Sequence, residues 1–180
     1  GPAMLEFYTI DSNLLGAAAC TAMAVFTLRQ IRTGLEVPPF VQLCKYTAVC
    51  CLSVTFLVVV LVLAPTSGGA RGYSMFLTSG DMLYHHLICP LLAFVSFIFL
   101  DRITLRDARK MALYAMIPTC LYAVISVILN LLRVITGPYP FLRVYQQPVW
   151  ASCLWFVLIL AGAYTVSRLL GRCRIRPAGR

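Results

Sequence analysis

Five apolar runs, each close to the ~20 residues that a helix needs to cross ~30 Å of hydrocarbon, dominate this chain of 180 residues. They extend from Ile10 to Leu28, Val41 to Leu63, Met82 to Leu100, Met111 to Leu132 and Val149 to Leu170. Only an element that closes its own backbone hydrogen bonds survives in lipid, and a helix of that length does so. The expected fold is therefore all-α: a polytopic membrane helix bundle of about five transmembrane helices, with residues 1–180 forming one transmembrane domain. With 61% hydrophobic residues, 12% charged and a mean hydropathy of +0.86, the chain carries more apolar surface than a water-soluble fold can cover.

Pro38-Pro39, Ser67-Gly68-Gly69 and Gly137-Pro138-Tyr139-Pro140 interrupt the helical pattern between runs. Pro118, inside the fourth run, is expected to kink it. Gly16-Ala17-Ala18-Ala19 and Ala161-Gly162-Ala163 offer small side chains where helices can approach closely. Residues 1–3 of the opening Gly1-Pro2-Ala3-Met4 read as a cloning remnant, with the natural start expected at Met4. Most of the eight cysteines lie within apolar runs, without CxxC pairs or ligand-spaced histidines. They read as small buried hydrophobes, and neither a metal site nor a cofactor is expected.

Charge sets the orientation. Of fifteen Lys and Arg, twelve flank the first loop, the third loop or the tail, whose basic stretch is residues 171–180. Arg71, Arg133 and Arg143 alone remain for the other side. The positive-inside rule then puts the amino terminus outside and the carboxyl terminus in the cytoplasm. The same rule, with attraction to anionic headgroups, accounts for the basic charge without nucleic acid; the expected partners are membrane lipids.

With that orientation the polar residues gather at the outer end, among them Thr9, Asn13, Asp81, His85, His86, Asn130, Arg133 and Tyr139. Thr9 and Asn13 are four residues apart, as are Asp81 and His85, so each pair shares a helix face. The six acidic residues all fall at span ends or in loops, which weighs against proton- or cation-coupled transport. Each polar group also has a plainer role open to it: Thr9 as a helix N-cap, the histidines and Tyr139 as interfacial anchors.

Three segments in order, Phe7-Tyr8-Thr9-Ile10-Asp11, His85-His86-Leu87-Ile88-Cys89-Pro90-Leu91-Leu92 and Tyr139-Pro140-Phe141-Leu142, resemble the androgen-induced membrane hydrolase family and its bacterial six-helix relatives. Those hydrolases cleave fatty acid esters of hydroxy fatty acids with an intramembrane threonine and histidine. The resemblance implies Thr9 as nucleophile and His85, five residues before Pro90, as general base. The family has six spans with the threonine opening the second, so a first helix has either been lost in this branch or omitted from the expressed chain. Where the family often has an asparagine four residues before its histidine, this chain has Asp81. His85 rather than His86 is favoured twice, by the spacing to Pro90 and by sharing a face with Asp81, which would fix its tautomer.

The implied activity is threonine-dependent hydrolysis of a lipid or fatty-acyl ester, with Asp81 orienting the imidazole. Asn13, Arg133 or backbone N–H groups would stabilise the oxyanion. Asn130 and Tyr139 are further candidate contacts. An acyltransferase with the same nucleophile and a non-catalytic lipid-binding or scaffold protein are the alternatives.

Overall fold

The computed structural model describes residues 2–175; Arg176 and Arg180 of the basic tail lie outside the described residues. Five helices are long and apolar enough to span a membrane: α1 (Tyr8–Thr33), α2 (Pro39–Thr66), α4 (Gly80–Leu100), α5 (Ala108–Leu131) and α6 (Val149–Arg174). A short amphipathic helix, α3 (Ala70–Leu77), sits between α2 and α4. No strand occurs among the described residues. The chain is an all-α multi-pass membrane bundle.

α2 is the central helix, 61% buried over its most apolar window against 6–33% for the other four. Leu14, Leu92, Leu121 and Val157 stand on the outer faces, as helices solvated by hydrocarbon require. α1 lays the stripe Thr9, Ser12, Gly16, Ala19 and Met23 against its neighbours. A Cβ on Gly16 would sit 2.8 Å from Leu52 Cδ1, so this contact of α1 with α2 uses the missing side chain. Ala17 and Ala18 face outward. Of the second small-residue group only Ala163 is buried, and Gly162 has open space before it. α5 breaks its regular hydrogen bonding at Met116, two residues before Pro118, as the proline predicts.

At the basic end, Lys45 of α2 is buried and donates to Ser96 Oγ of α4 at 2.7 Å and to Cys20 Sγ of α1 at 3.0 Å. Its ammonium lies 3.6 Å from Asp101 Oδ2. Arg174 of α6 donates to the Asp101 carbonyl. Four helices thus meet in one polar knot.

Two prolines set the other end. Ahead of Pro65 in α2 and Pro90 in α4 the helix widens into a π turn, Val59–Leu63 and Tyr84–Ile88, where each N–H reaches back five residues. Ala64 N–H bonds the Val59 carbonyl, and Cys89 N–H bonds that of Tyr84. The next donors in each series would be Pro65 and Pro90, which have no N–H. The carbonyls of Val60 and His85 are therefore released, and each finds a side chain from a neighbouring helix: Tyr73 Oη of α3 donates to Val60 O at 2.9 Å, and Asn13 Nδ2 of α1 to His85 O at 3.1 Å. Buried backbone acceptors seldom stay unpaired, and here that demand ties α3 to α2 and α1 to α4.

Candidate functional site

Thr9 lies in the first turn of α1, whose N-cap is Phe7, so its hydroxyl is not used for capping. Thr9 Oγ1 is buried between two partners, His86 Nε2 at 3.3 Å and Tyr139 Oη at 3.3 Å. The other ring nitrogen of His86, Nδ1, is 3.1 Å from the carbonyl of Phe76 in α3. A carbonyl can only accept, so the neutral imidazole carries its proton on Nδ1 and turns the Nε2 lone pair toward Thr9. Thr9 N–H donates to Tyr139 Oη at 3.3 Å, which leaves the phenol proton for Thr9 Oγ1. The result is a single directed chain: Tyr139 O–H to Thr9 O–H to His86 Nε2, and His86 Nδ1–H to Phe76 O.

The expectation that His85 is the histidine facing Thr9 is corrected. His86 is the buried one, on the stripe His86, Pro90, Ala93, Phe97 that packs α4 into the bundle. Its phase along the helix, not a neighbouring carboxylate, chooses it. His85 Nδ1 is buried with no hydrogen-bond partner among the described residues, and this residue's contribution is the carbonyl that Pro90 sets free for Asn13. Asp81 is exposed and hydrogen-bonds to neither imidazole among the described residues; the Phe76 carbonyl holds the tautomer in its place.

The other expected residues divide into support and surroundings. Asn13 Nδ2 is committed to the carbonyls of Thr9, at 2.8 Å, and His85, and so fixes α1 beside α4 instead of facing a reacting oxygen. Asn130 is buried, donates to Ile135 O at 2.9 Å and accepts from Val144 N–H at 3.0 Å. It clips the loop over residues 132–148 that carries Tyr139. Arg133 is exposed, with its guanidinium 4.9 Å from the Tyr145 ring centroid, away from Thr9.

Tyr139 stacks on Phe141 with 5.3 Å between centroids and 9° between planes, and Phe141 packs on Trp155 of α6. Burial pushes the Tyr139 phenol above its usual pKa, partly offset by its bonds with Thr9. Thr9 and Tyr139 form part of the wall of a narrow apolar cavity of about 70 Å³ between α1, α2, α5 and α6. Val54, Val58, Trp155 and Leu160 line its depth. Among the described residues, His, Cys, Asp and Glu nowhere gather in a group of three fit to hold a metal ion.

Comparison of the chain with protein-family models, curated proteins and solved structures finds no match. The site is thus known by its own geometry.

Proposed function

We propose that this protein is an intramembrane threonine-dependent hydrolase of fatty-acyl esters, acting at the outer leaflet of a cell membrane. The observation that supports it is the Thr9 hydroxyl held between an imidazole of fixed tautomer and a phenol, at the wall of an apolar cavity.

A threonine hydroxyl is a weak nucleophile near neutral pH until a base takes its proton. In the proposed reaction Thr9 Oγ1 attacks the ester carbonyl while its proton passes to His86 Nε2. The tetrahedral oxyanion is met by the two donors nearest Thr9, its own N–H at the open end of α1 and the Tyr139 phenol. Collapse breaks the C–O bond to the leaving alcohol, which takes the proton from His86 Nε2. Water, deprotonated by the same nitrogen, then cleaves the acyl-threonine to a carboxylic acid, which ionises by releasing its proton to solvent, while the proton on His86 Nε2 returns to Thr9. The reacting end of the acyl chain enters the apolar cavity, where each methylene removed from water stabilises the complex by ~0.8 kcal/mol.

The test is labelling of the purified protein by a fluorophosphonate probe, with hydrolysis of a long-chain fatty acid ester measured in parallel. Labelling and turnover that both vanish in Thr9→Ala support the reading. Labelling without turnover in water but with transfer to an added lipid alcohol would make the protein an acyltransferase. Absence of both in wild-type protein would leave a lipid-binding function.

A further inference from the structure

A second hollow adjoins the Thr9 cavity, and a third adjoins the second. A cleft of about 670 Å³ runs between α1 and α5 and is lined by apolar groups such as Leu15, Ile125 and Leu129, with Asp11 and Ser12 among them. Tyr8 and Tyr122 line both this cleft and the Thr9 cavity; their rings lie 5.0 Å apart, so the pair is the shared wall. At its other end the cleft meets a polar groove through Glu6 and Ile135, which line both. Arg133 and Arg143 stand in that groove with Glu6.

These are two of the three basic residues assigned to this end of the bundle, and they converge on one place. Arg133 holds a left-handed backbone conformation, φ 58°, uncommon outside glycine, and lays its guanidinium on Tyr145. Arg143 is aimed by Nε donating to Gly137 O and Nη1 to Gln146 Oε1. The one ion pair among the described residues is Lys45 with Asp101, so neither guanidinium is spent on a carboxylate. With Glu6 counted, the groove has a formal charge of +1; Asp11, which lines the adjoining cleft, brings groove and cleft together to zero, so a carboxylate is favoured by the position of the two guanidinium groups and not by net charge.

We infer that groove and cleft together form a binding site for a single-chain lipid carboxylate, its head on Arg133 and Arg143 and its chain between α1 and α5. A guanidinium fork matches a carboxylate in shape and charge, and an apolar chain prefers the cleft to water. The inference deepens the proposed function, since such a ligand would lie one aromatic pair away from Thr9 as a substrate entering or a product leaving.

The test is equilibrium binding to the full chain in phosphatidylcholine nanodiscs, with radiolabelled oleate and oleyl alcohol as probes and phosphatidylglycerol as competitor. Neither probe contains an ester, so the outcome is separate from whether Thr9 is a nucleophile, and Thr9→Ala protein should give the same affinities. Oleate should bind roughly tenfold or more tighter than oleyl alcohol, the size of one charge-assisted contact. Arg133→Gln with Arg143→Gln should bring oleate to the level of the alcohol without changing the alcohol, and Arg143→Lys should restore part of the preference. Ile125→Trp, filling the cleft from an exposed position, should weaken both probes. The inference is overturned by equal affinity for the two probes, by an oleate preference that survives the double substitution, or by indifference to Ile125→Trp. Displacement of oleate by phosphatidylglycerol at lower concentration would assign the groove to membrane phospholipid instead.

Discussion

The Nε2 of His86 stands 3.3 Å from Thr9 Oγ1, while His85, its neighbour in the same π turn, faces Asn13 with its carbonyl. One residue offers its ring and the next its backbone, and the two contacts bind α4 to α1 at the same level. The division of labour can be tested residue by residue.

His86→Ala should lower ester hydrolysis by about 10²–10⁴, the usual loss of a general base. His85→Ala keeps the carbonyl that Asn13 uses and should stay within a few-fold of wild type. Rates measured on proteins of equal folded yield decide it, and the opposite ranking would return the role to His85.

Tyr139→Phe preserves the stack on Phe141 and removes only the hydroxyl. A loss of about 10²–10³ in kcat is expected if the phenol is an oxyanion donor. Burial holds the phenol protonated above its ordinary value of 10.0, so the folded protein keeps this proton where the unfolded chain loses it. Activity should therefore show no falling limb from Tyr139 up to about pH 10, and the linked loss of stability begins only above that. A falling limb near pH 8 that disappears in Tyr139→Phe would refute this assignment.

Gly72→Ala tests the support of His86 from a distance. A Cβ on Gly72 would collide with the Ala64 carbonyl oxygen, so α3 must move and carry the Phe76 carbonyl with it. We expect hydrolysis to fall at least roughly tenfold, about one hydrogen bond of net 1.5 kcal/mol. Gly162→Ala, which meets nothing within 4 Å, should leave the rate unchanged.

Asn13→Ala strands the His85 carbonyl, and leaving one buried acceptor unpaired should cost about 1–3 kcal/mol in unfolding by SDS titration. Pro90→Ala in the same background supplies the missing N–H and should recover part of that loss.

At the opposite end, Lys45→Met removes the ion-pair partner of Asp101, leaving Arg174 as the cation nearby, and should destabilise by at most about 3–5 kcal/mol. Lys45→Met combined with Asp101→Leu should recover most of it, as judged by the same titration.

The five spans were legible because apolarity over a bilayer's length is a property of composition, and the Pro118 break because a proline acts locally. The meeting of Thr9 with Tyr139 at one end of the bundle was anticipated from the ordering of spans. The choice of histidine was not, because the spacing to Pro90 and the face shared with Asp81 both favour His85, whereas the packing stripe His86, Pro90, Ala93, Phe97, at i, i+4, i+7, i+11, buries His86. The Phe76 carbonyl carried no signal, since any residue would supply one, although the Phe76 ring also packs edge-on against His86 with 5.7 Å between centroids. Tyr8 and Tyr122, partition and cavity wall, are indistinguishable in sequence from interfacial aromatics.

Holding an imidazole with a peptide carbonyl instead of a carboxylate has an electrical consequence. Thr9, His86, Phe76 and Tyr139 bring no formal charge to the resting site, so it can lie at the edge of hydrocarbon without the desolvation cost of a buried ion. Charge would arise only during reaction, as imidazolium and oxyanion appear together a few ångströms apart. Each is then the other's main counter-ion, and in a medium of low dielectric their mutual attraction falls off with every ångström of added separation. Such a site is tuned by distance rather than by net charge, and would answer more sharply to small shifts of α1 against α4 than to salt in the surrounding water.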